Sequence, residues 1–183
     1  LKFNFFLFYM FKELQELEDA AKKHELYNNV ISTKGNIVFY RGNLKNPEYL
    51  FIGEAPGQTE NREGKPFVGR SGKVLDNWMA SIGINNFVVI NTVPIIPLKP
   101  EGGIRKPTKL EINYFRPYVD RLIKVINPSK VICLGKSALE YVGLNLKNTT
   151  WKDNIGFIYH PAFYLRRGMN GIDDFKKLVA FSS

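Results

Sequence analysis

Four short apolar runs constrain this chain more than any other feature. Residues 49–52, 87–90, 130–134 and 155–159 read YLFI, FVVI, KVICL and IGFIY. None alternates apolar with polar residues, so each describes a strand covered on both faces. Segments with helical character separate them. Residues 11–27 carry Phe11, Leu14, Leu17, Ala20 and Ala21 at helical spacing, and residues 73–82 form a helix closed by Gly83. Thr108, with Glu111 three residues on, is the N-cap of a helix running to about residue 126. Residues 135–142 and 171–181 complete the set, and a short strand at 37–40 leads into the Gly42-Asn43 turn. This alternation predicts an α/β fold, a three-layer α/β/α sandwich around a central, mainly parallel four-stranded sheet. The chain, residues 1–183, reads as one domain, a size at which a single core closes. Residues 1–9 (LKFNFFLFY) have two readings, an extraneous segment ahead of Met10 or aromatics that pack onto the domain. They are too short to span a membrane, and no membrane association is expected.

In sheets of this kind ligands gather outside the carboxyl ends of the strands. Those ends are Gly53-Glu54, Asn91, Gly135 and His160, and three of the four carry a motif. The first is Gly53-Glu54-Ala55-Pro56-Gly57 followed by Gly64-Lys65-Pro66-Phe67-Val68-Gly69-Arg70-Ser71-Gly72, inside a loop from 53 to 72 long enough to be functional. Its glycines let backbone approach a ligand and leave amides free to face it. The second is Val88-Val89-Ile90-Asn91-Thr92. An amide at a strand end offers a donor and an acceptor to a base edge, or simply caps the next turn. The third is Tyr159-His160-Pro161-Ala162-Phe163-Tyr164-Leu165-Arg166-Arg167, holding one of only two histidines.

Charge narrows the partner. Lys plus Arg number 26 against 17 Asp plus Glu, a formal net charge of +9, which attracts polyanions. The single cysteine, Cys133, lies in the apolar run Val131-Ile132-Cys133-Leu134 and reads as a buried core thiol. No disulfide can close within the chain, which fits an intracellular protein, cytoplasmic or associated with DNA.

The three motifs, in this order, resemble those of the family-four branch of the uracil-DNA glycosylase superfamily. The segment around Gly135-Lys136-Ser137-Ala138-Leu139 is similar to that family's internal strand-glycine-helix unit, so the likeness spans residues 49–167. The resemblance implies base flipping and hydrolysis of the N-glycosidic bond of uracil in DNA, by a monomer without metal. It implies His160 as the donor that stabilises the leaving base, and Glu54 as the carboxylate that orients water or opposes the cationic sugar. Gly53, Ala55, Phe67 and Asn91 would bind the base, with Phe67 stacked on it and Asn91 reading its edge. Arg70 and Ser71 would face DNA, Leu165 helped by Tyr164 would wedge into the stack, and Arg166 and Arg167 would clamp phosphates.

Two departures stand out. Typical family-four members hold a [4Fe–4S] cluster on four cysteines, two of them ahead of the first motif. Residues 1–52 contain none, and Val93 and Phe115 stand where the other two would be. No iron–sulfur cluster, and no other cofactor, is therefore expected. The family's frequent Glu-Asp pair is here Glu60-Asn61, which bears on specificity or rate. Three rival readings are the same fold acting on hypoxanthine or mismatched thymine, a lesion-binding module with weak catalysis, and a small-molecule nucleotide enzyme. The chain has neither a GxxxxGK[ST] nor a GxGxxG run, which weakens the last.

Overall fold

Alternate side chains of every central strand point to opposite faces of one sheet, and both faces are buried. The computed structural model describes residues 2–181. Its strands are β1 (Tyr40–Gly42), β2 (Tyr49–Gly53), β3 (Phe87–Asn91), β4 (Lys130–Leu134), β5 (Thr150–Lys152) and β6 (Ile155–Ile158). Its helices are α1 (Lys2–Lys23), α2 (Tyr27–Thr33), α3 (Gln58–Glu63) and α4 (Arg70–Ala80), then α5 (Lys109–Ile126), α6 (Lys136–Tyr141), α7 (Pro161–Leu165) and α8 (Ile172–Ala180). The sheet runs β1-β3-β2-β4-β6-β5. The four central strands are mutually parallel, and both outer strands are antiparallel to their neighbours.

On one face Leu50, Ile52, Val88, Ile90, Val131, Cys133 and Phe157 form a core with α1, α5 and α6. On the other, Tyr49, Phe51, Val89, Ile132, Leu134 and Ile158 pack against Leu75, Trp78, Tyr164, Phe175 and Leu178 of α4, α7 and α8. The period-two split explains why these strands read as unbroken apolar runs, and it gives the expected three layers.

The sheet has six strands where the sequence reading expects four at its centre. The extra edge strand, β5, is Thr150-Trp151-Lys152 with both ends exposed, so it carries no apolar run. Tertiary contacts hold it: Trp151 lies against Gly156 and its Nε1 donates to the carbonyl of Leu178 at 2.5 Å. The strand expected at 37–40 forms instead at Tyr40–Gly42, set by pairing with β3. The loop expected at 53–72 contains α3 and the first turn of α4.

The first helix is also longer than expected. α1 starts at Lys2, with Phe6 against the core and Met10 buried, while Phe5, Phe8 and Phe11 remain exposed. It lies along α5, where Arg121 bonds Glu13 at 2.8 Å and Glu16 at 2.5 Å. Among the described residues no helix is long and apolar enough to cross a membrane.

The capping box of α5 is present as expected. The Glu111 amide donates to Thr108 Oγ1 at 3.2 Å, and the Thr108 amide donates to Glu111 Oε2 at 2.6 Å. Glu111 is buried and also takes a bidentate pair from Arg105, at 2.9 and 2.6 Å. Thr108→Ala removes the cap acceptor and should cost about 1 kcal/mol. Thermal unfolding should show a melting temperature lower by roughly 2–4 °C for a chain of this size; no change would mean that the Arg105–Glu111 pair alone holds this helix start.

Candidate active site

The parallel strands end at one edge of the sheet, and the loops leaving β2, β3, β4 and β6 enclose a cleft of about 780 Å³. Its wall includes Glu54, Ala55, Phe67, Ser71, Asn91 and His160 of the residues expected there, with Arg166 at the rim. Residues more than a hundred positions apart in the chain thus meet because the strands that carry them are neighbours.

Gly53 sits beneath these groups rather than on the wall. It pairs with Asn91 across β2 and β3, and a Cβ there would lie 2.4 Å from the Phe67 ring and 2.5 Å from Asn91 Oδ1. Only glycine leaves room for both side chains. Asn91 is buried, and its Oδ1 has no hydrogen-bond partner. A buried amide oxygen without a partner costs on the order of 1–3 kcal/mol unless something else fills the bond.

Phe67 is buried and held at φ 54°, a conformation side chains other than glycine rarely adopt. Glu60 maintains it. One oxygen of the Glu60 carboxylate accepts from the amides of Val68 (3.0 Å) and Gly69 (2.8 Å), and the other from Gly57 (3.2 Å), which ties both glycine loops together. Gly72 lies directly under the Phe67 carbonyl, where a Cβ would be 1.8 Å away. The Phe67 ring stands 5.5 Å from that of His160, tilted by 43°.

His160 caps α7: its Nδ1 accepts from the Ala162 amide at 3.1 Å. With Nδ1 used as an acceptor, the ring proton of the neutral form sits on Nε2. Burial pulls the pKa down from the ordinary 6.5 to about 4, the charge of Arg166 acts the same way, and Glu60 opposes. His160 is therefore a neutral Nε2–H donor at pH 7. Glu54 leaves the end of β2 with its carboxylate bonded to the Ser137 hydroxyl. Its backbone carbonyl accepts from Thr92 Oγ1 at 2.7 Å and from the Val93 amide at 3.1 Å. The carboxylate is thus oriented through a hydroxyl at the start of α6.

Of the residues expected to face DNA outside the cleft, Tyr164 is the one that is buried. It packs edge-on against Trp78 and donates its hydroxyl to Asp174 at 2.9 Å, so it belongs to the core and cannot enter a base stack. Leu165 is half-buried on α7 and lies off the cleft wall. Arg167 covers the Phe163 ring at 3.7 Å, and Arg70 is exposed at the first turn of α4, next in the chain to the cleft residue Ser71. Asn61 points away from the cleft altogether: it is buried, donates to Thr33 Oγ1 at 2.9 Å and fills the space above Gly35. The Glu60-Asn61 departure is accordingly a packing change beneath α3. Sequence reasoning missed Glu60 and Ser137 as partners, and Ile104, Lys106, Lys136 and Phe163 as wall residues. The strand-glycine-helix segment signalled Ser137; nothing local signalled Ile104.

Known proteins share much of this sequence. Residues 39–181 match the family model described as the uracil DNA glycosylase superfamily. The type-4 uracil-DNA glycosylase of Archaeoglobus fulgidus is 35% identical over 166 residues, which cover 80% of this chain and 82% of that protein. That of Sulfurisphaera tokodaii is 35% identical over 152 residues, 72% of this chain and 68% of that protein. That of Thermotoga maritima is 28% identical over 189 residues, 94% of this chain and 97% of that protein. With a family match over most of its length and a cleft built at the strand ends, the chain belongs to the uracil-DNA glycosylase superfamily.

Proposed function

We propose that this protein excises uracil from DNA by hydrolysing the bond between the base and C1′ of deoxyribose. The observation that carries the reading is the buried, unpartnered Oδ1 of Asn91 at the base of a cleft whose wall also holds Phe67 and a neutral His160. Such an amide suits a planar ring whose polar edge presents both an N–H and carbonyl oxygens. The names of its relatives support the same substrate.

The target bond is inaccessible inside a duplex, so the nucleotide rotates into the cleft. Phe67 stacks on the ring and Asn91 bonds its edge. As the C1′–N1 bond breaks, its electron pair moves to the base and positive charge grows on the sugar. The His160 Nε2–H meets the developing negative charge on a base oxygen without transferring its own proton. The Glu54 carboxylate, held by Ser137, opposes the cationic sugar and orients the water that attacks C1′. The rim cations Lys136 and Arg166 suit the flanking phosphates.

An iron–sulfur cluster does not fit the residues present. Its four thiolates have one counterpart, Cys133, buried in β4 with its thiol pushed up to about 12 by burial. Val93 and Phe115 are wholly buried in the core, Phe115 against the rings of His24 and Tyr114. These two positions supply apolar packing rather than thiolates, and no step is assigned to a metal.

Purified protein with chelator should release uracil from DNA, seen as alkali-labile strand breaks. Under single-turnover conditions Asn91→Ala should lose roughly 5- to 150-fold, the range for leaving one buried polar group unpaired, and His160→Ala on the order of a hundredfold or more. Wild-type rates in both folded variants would remove the proposed site, and hypoxanthine release with uracil left intact would reassign the substrate.

The pH dependence follows from the depressed histidine. Above pH 6.5 His160 is neutral whether folded or unfolded; between 6.5 and about 4 only the folded form keeps it neutral. Its contribution to stability is therefore present above 6.5 and lost as pH falls toward 4. The cleavage rate should show no histidine inflection near 6.5, with the limb due to His160 near 4. A limb at 6.5 that disappears in His160→Ala would contradict the neutral-donor mechanism.

A further inference from the structure

Among the described residues other than glycine that have positive φ, Phe67 is the one with an aromatic side chain. Such a conformation persists only where the surroundings over-determine it. Because peptide groups are planar, φ and ψ of Phe67 are the settings of two peptide planes about its Cα. The plane that follows is held by Glu60, which accepts from the Val68 amide at 3.0 Å. The plane that precedes contains the Pro66 carbonyl, and Arg41 of β1 donates to that carbonyl through Nε at 3.0 Å. Arg41 comes from 25 positions earlier in the chain, so this second hold is made by the fold and not by the loop itself.

Arg41 is fixed in turn. Its backbone pairs with Val89 of β3, the strand that carries Asn91. Its guanidinium lies 5.7 Å from the centre of the Phe87 ring, and Nη2 is 2.7 Å from Asp76 Oδ1 on α4. That last contact is an ion pair off hydrogen-bond alignment, which leaves Nη2 without a hydrogen-bond partner. The Arg41 side chain is 17% exposed and that of Asp76 50%, so the guanidinium sits inside the pair with its one aligned bond spent on the Phe67 loop.

We infer that Arg41 is a positioning residue for base recognition: it sets the peptide plane ahead of Phe67 and so holds the ring against which the uracil stacks. The inference rests on the proposed excision of uracil. Arg41 is not part of the cleft wall, so it acts through Phe67 and not on the substrate. Its loss is therefore felt by a ligand that puts a ring into the recess, and not by one that has no ring to put there.

The test compares the binding of the full chain to two duplexes. One carries 2′-fluoro-deoxyuridine, which resists hydrolysis, and the other a tetrahydrofuran abasic analogue, which has no base. Arg41→Met keeps the apolar stem and removes the guanidinium. It should weaken binding to the fluorinated duplex roughly tenfold, the order of one charge-assisted hydrogen bond, and leave binding to the abasic duplex unchanged. Asp76→Ala, at the half-exposed end of the pair, should move the same ratio in the same direction by a smaller factor. In a Phe67→Ala background Arg41→Met should have no further effect on either duplex. Equal losses on both duplexes, no loss on either, or an undiminished effect in the Phe67→Ala background would overturn the assignment. If Arg41→Met fails to fold, an unchanged ratio in Asp76→Ala overturns it instead. Uracil release by the wild type, measured in parallel, separates the two claims: a protein that releases uracil and shows no base-dependent loss in Arg41→Met retains its function and loses this clamp.

Discussion

The pairing of Gly53 with Asn91 is the constraint on which the site depends. Parallel register between β2 and β3 sets these residues side by side, and the Thr92 amide bond to the Gly53 carbonyl at 3.0 Å fixes the strand ends. The missing Cβ of Gly53 makes a recess that the Phe67 ring and the Asn91 amide share. Any larger residue would displace both, and with them the aromatic wall and the buried amide of the cleft. Because the central strands are buried on both faces, a register slip would exchange two apolar cores, so the sheet itself guards this alignment.

Electrostatics are built in the same economical manner. The carboxylate of Glu60 is spent on three backbone amides, which keeps Phe67 in its unfavourable conformation. The carboxylate of Glu54 stays at the cleft, tethered to the Ser137 hydroxyl. His160 uses one ring nitrogen to start α7 and leaves the other as a donor, while burial keeps the ring neutral. A single turn of sequence therefore sets tautomer, orientation and charge together.

The central strands and their order of motifs were legible because burial on both faces leaves a continuous apolar signature, and because Thr108 and Glu111 mark a helix start by local chemistry. The edge strand β5 was not legible, since Thr150-Trp151-Lys152 takes its conformation from β6 and α8. Short α7 escaped notice for a similar reason: its start depends on a histidine side chain serving as the cap. Within the cleft, the residues at the strand ends could be read in advance because the topology dictates them. Tyr164 could not, since an aromatic next to Leu165 and two arginines looks the same in sequence whether it faces DNA or Trp78. Asn61 likewise faces Thr33 through a contact 28 positions away in the chain, which no local pattern marks. The place of Ile104 on the cleft wall depends on a loop closing back from β3, a long-range arrangement with no local code.

The account's central claim is that the recess between Gly53, Phe67, Asn91 and His160 receives the flipped base. A crystal structure of the protein bound to a duplex carrying one 2′-fluoro-deoxyuridine, which resists hydrolysis, tests it most directly. The account predicts the uracil ring out of the stack and against Phe67, its polar edge on the Asn91 amide and a carbonyl oxygen facing His160 Nε2. A uracil left in the helix, or lodged elsewhere on the protein with the Asn91 amide still unpartnered, would contradict it.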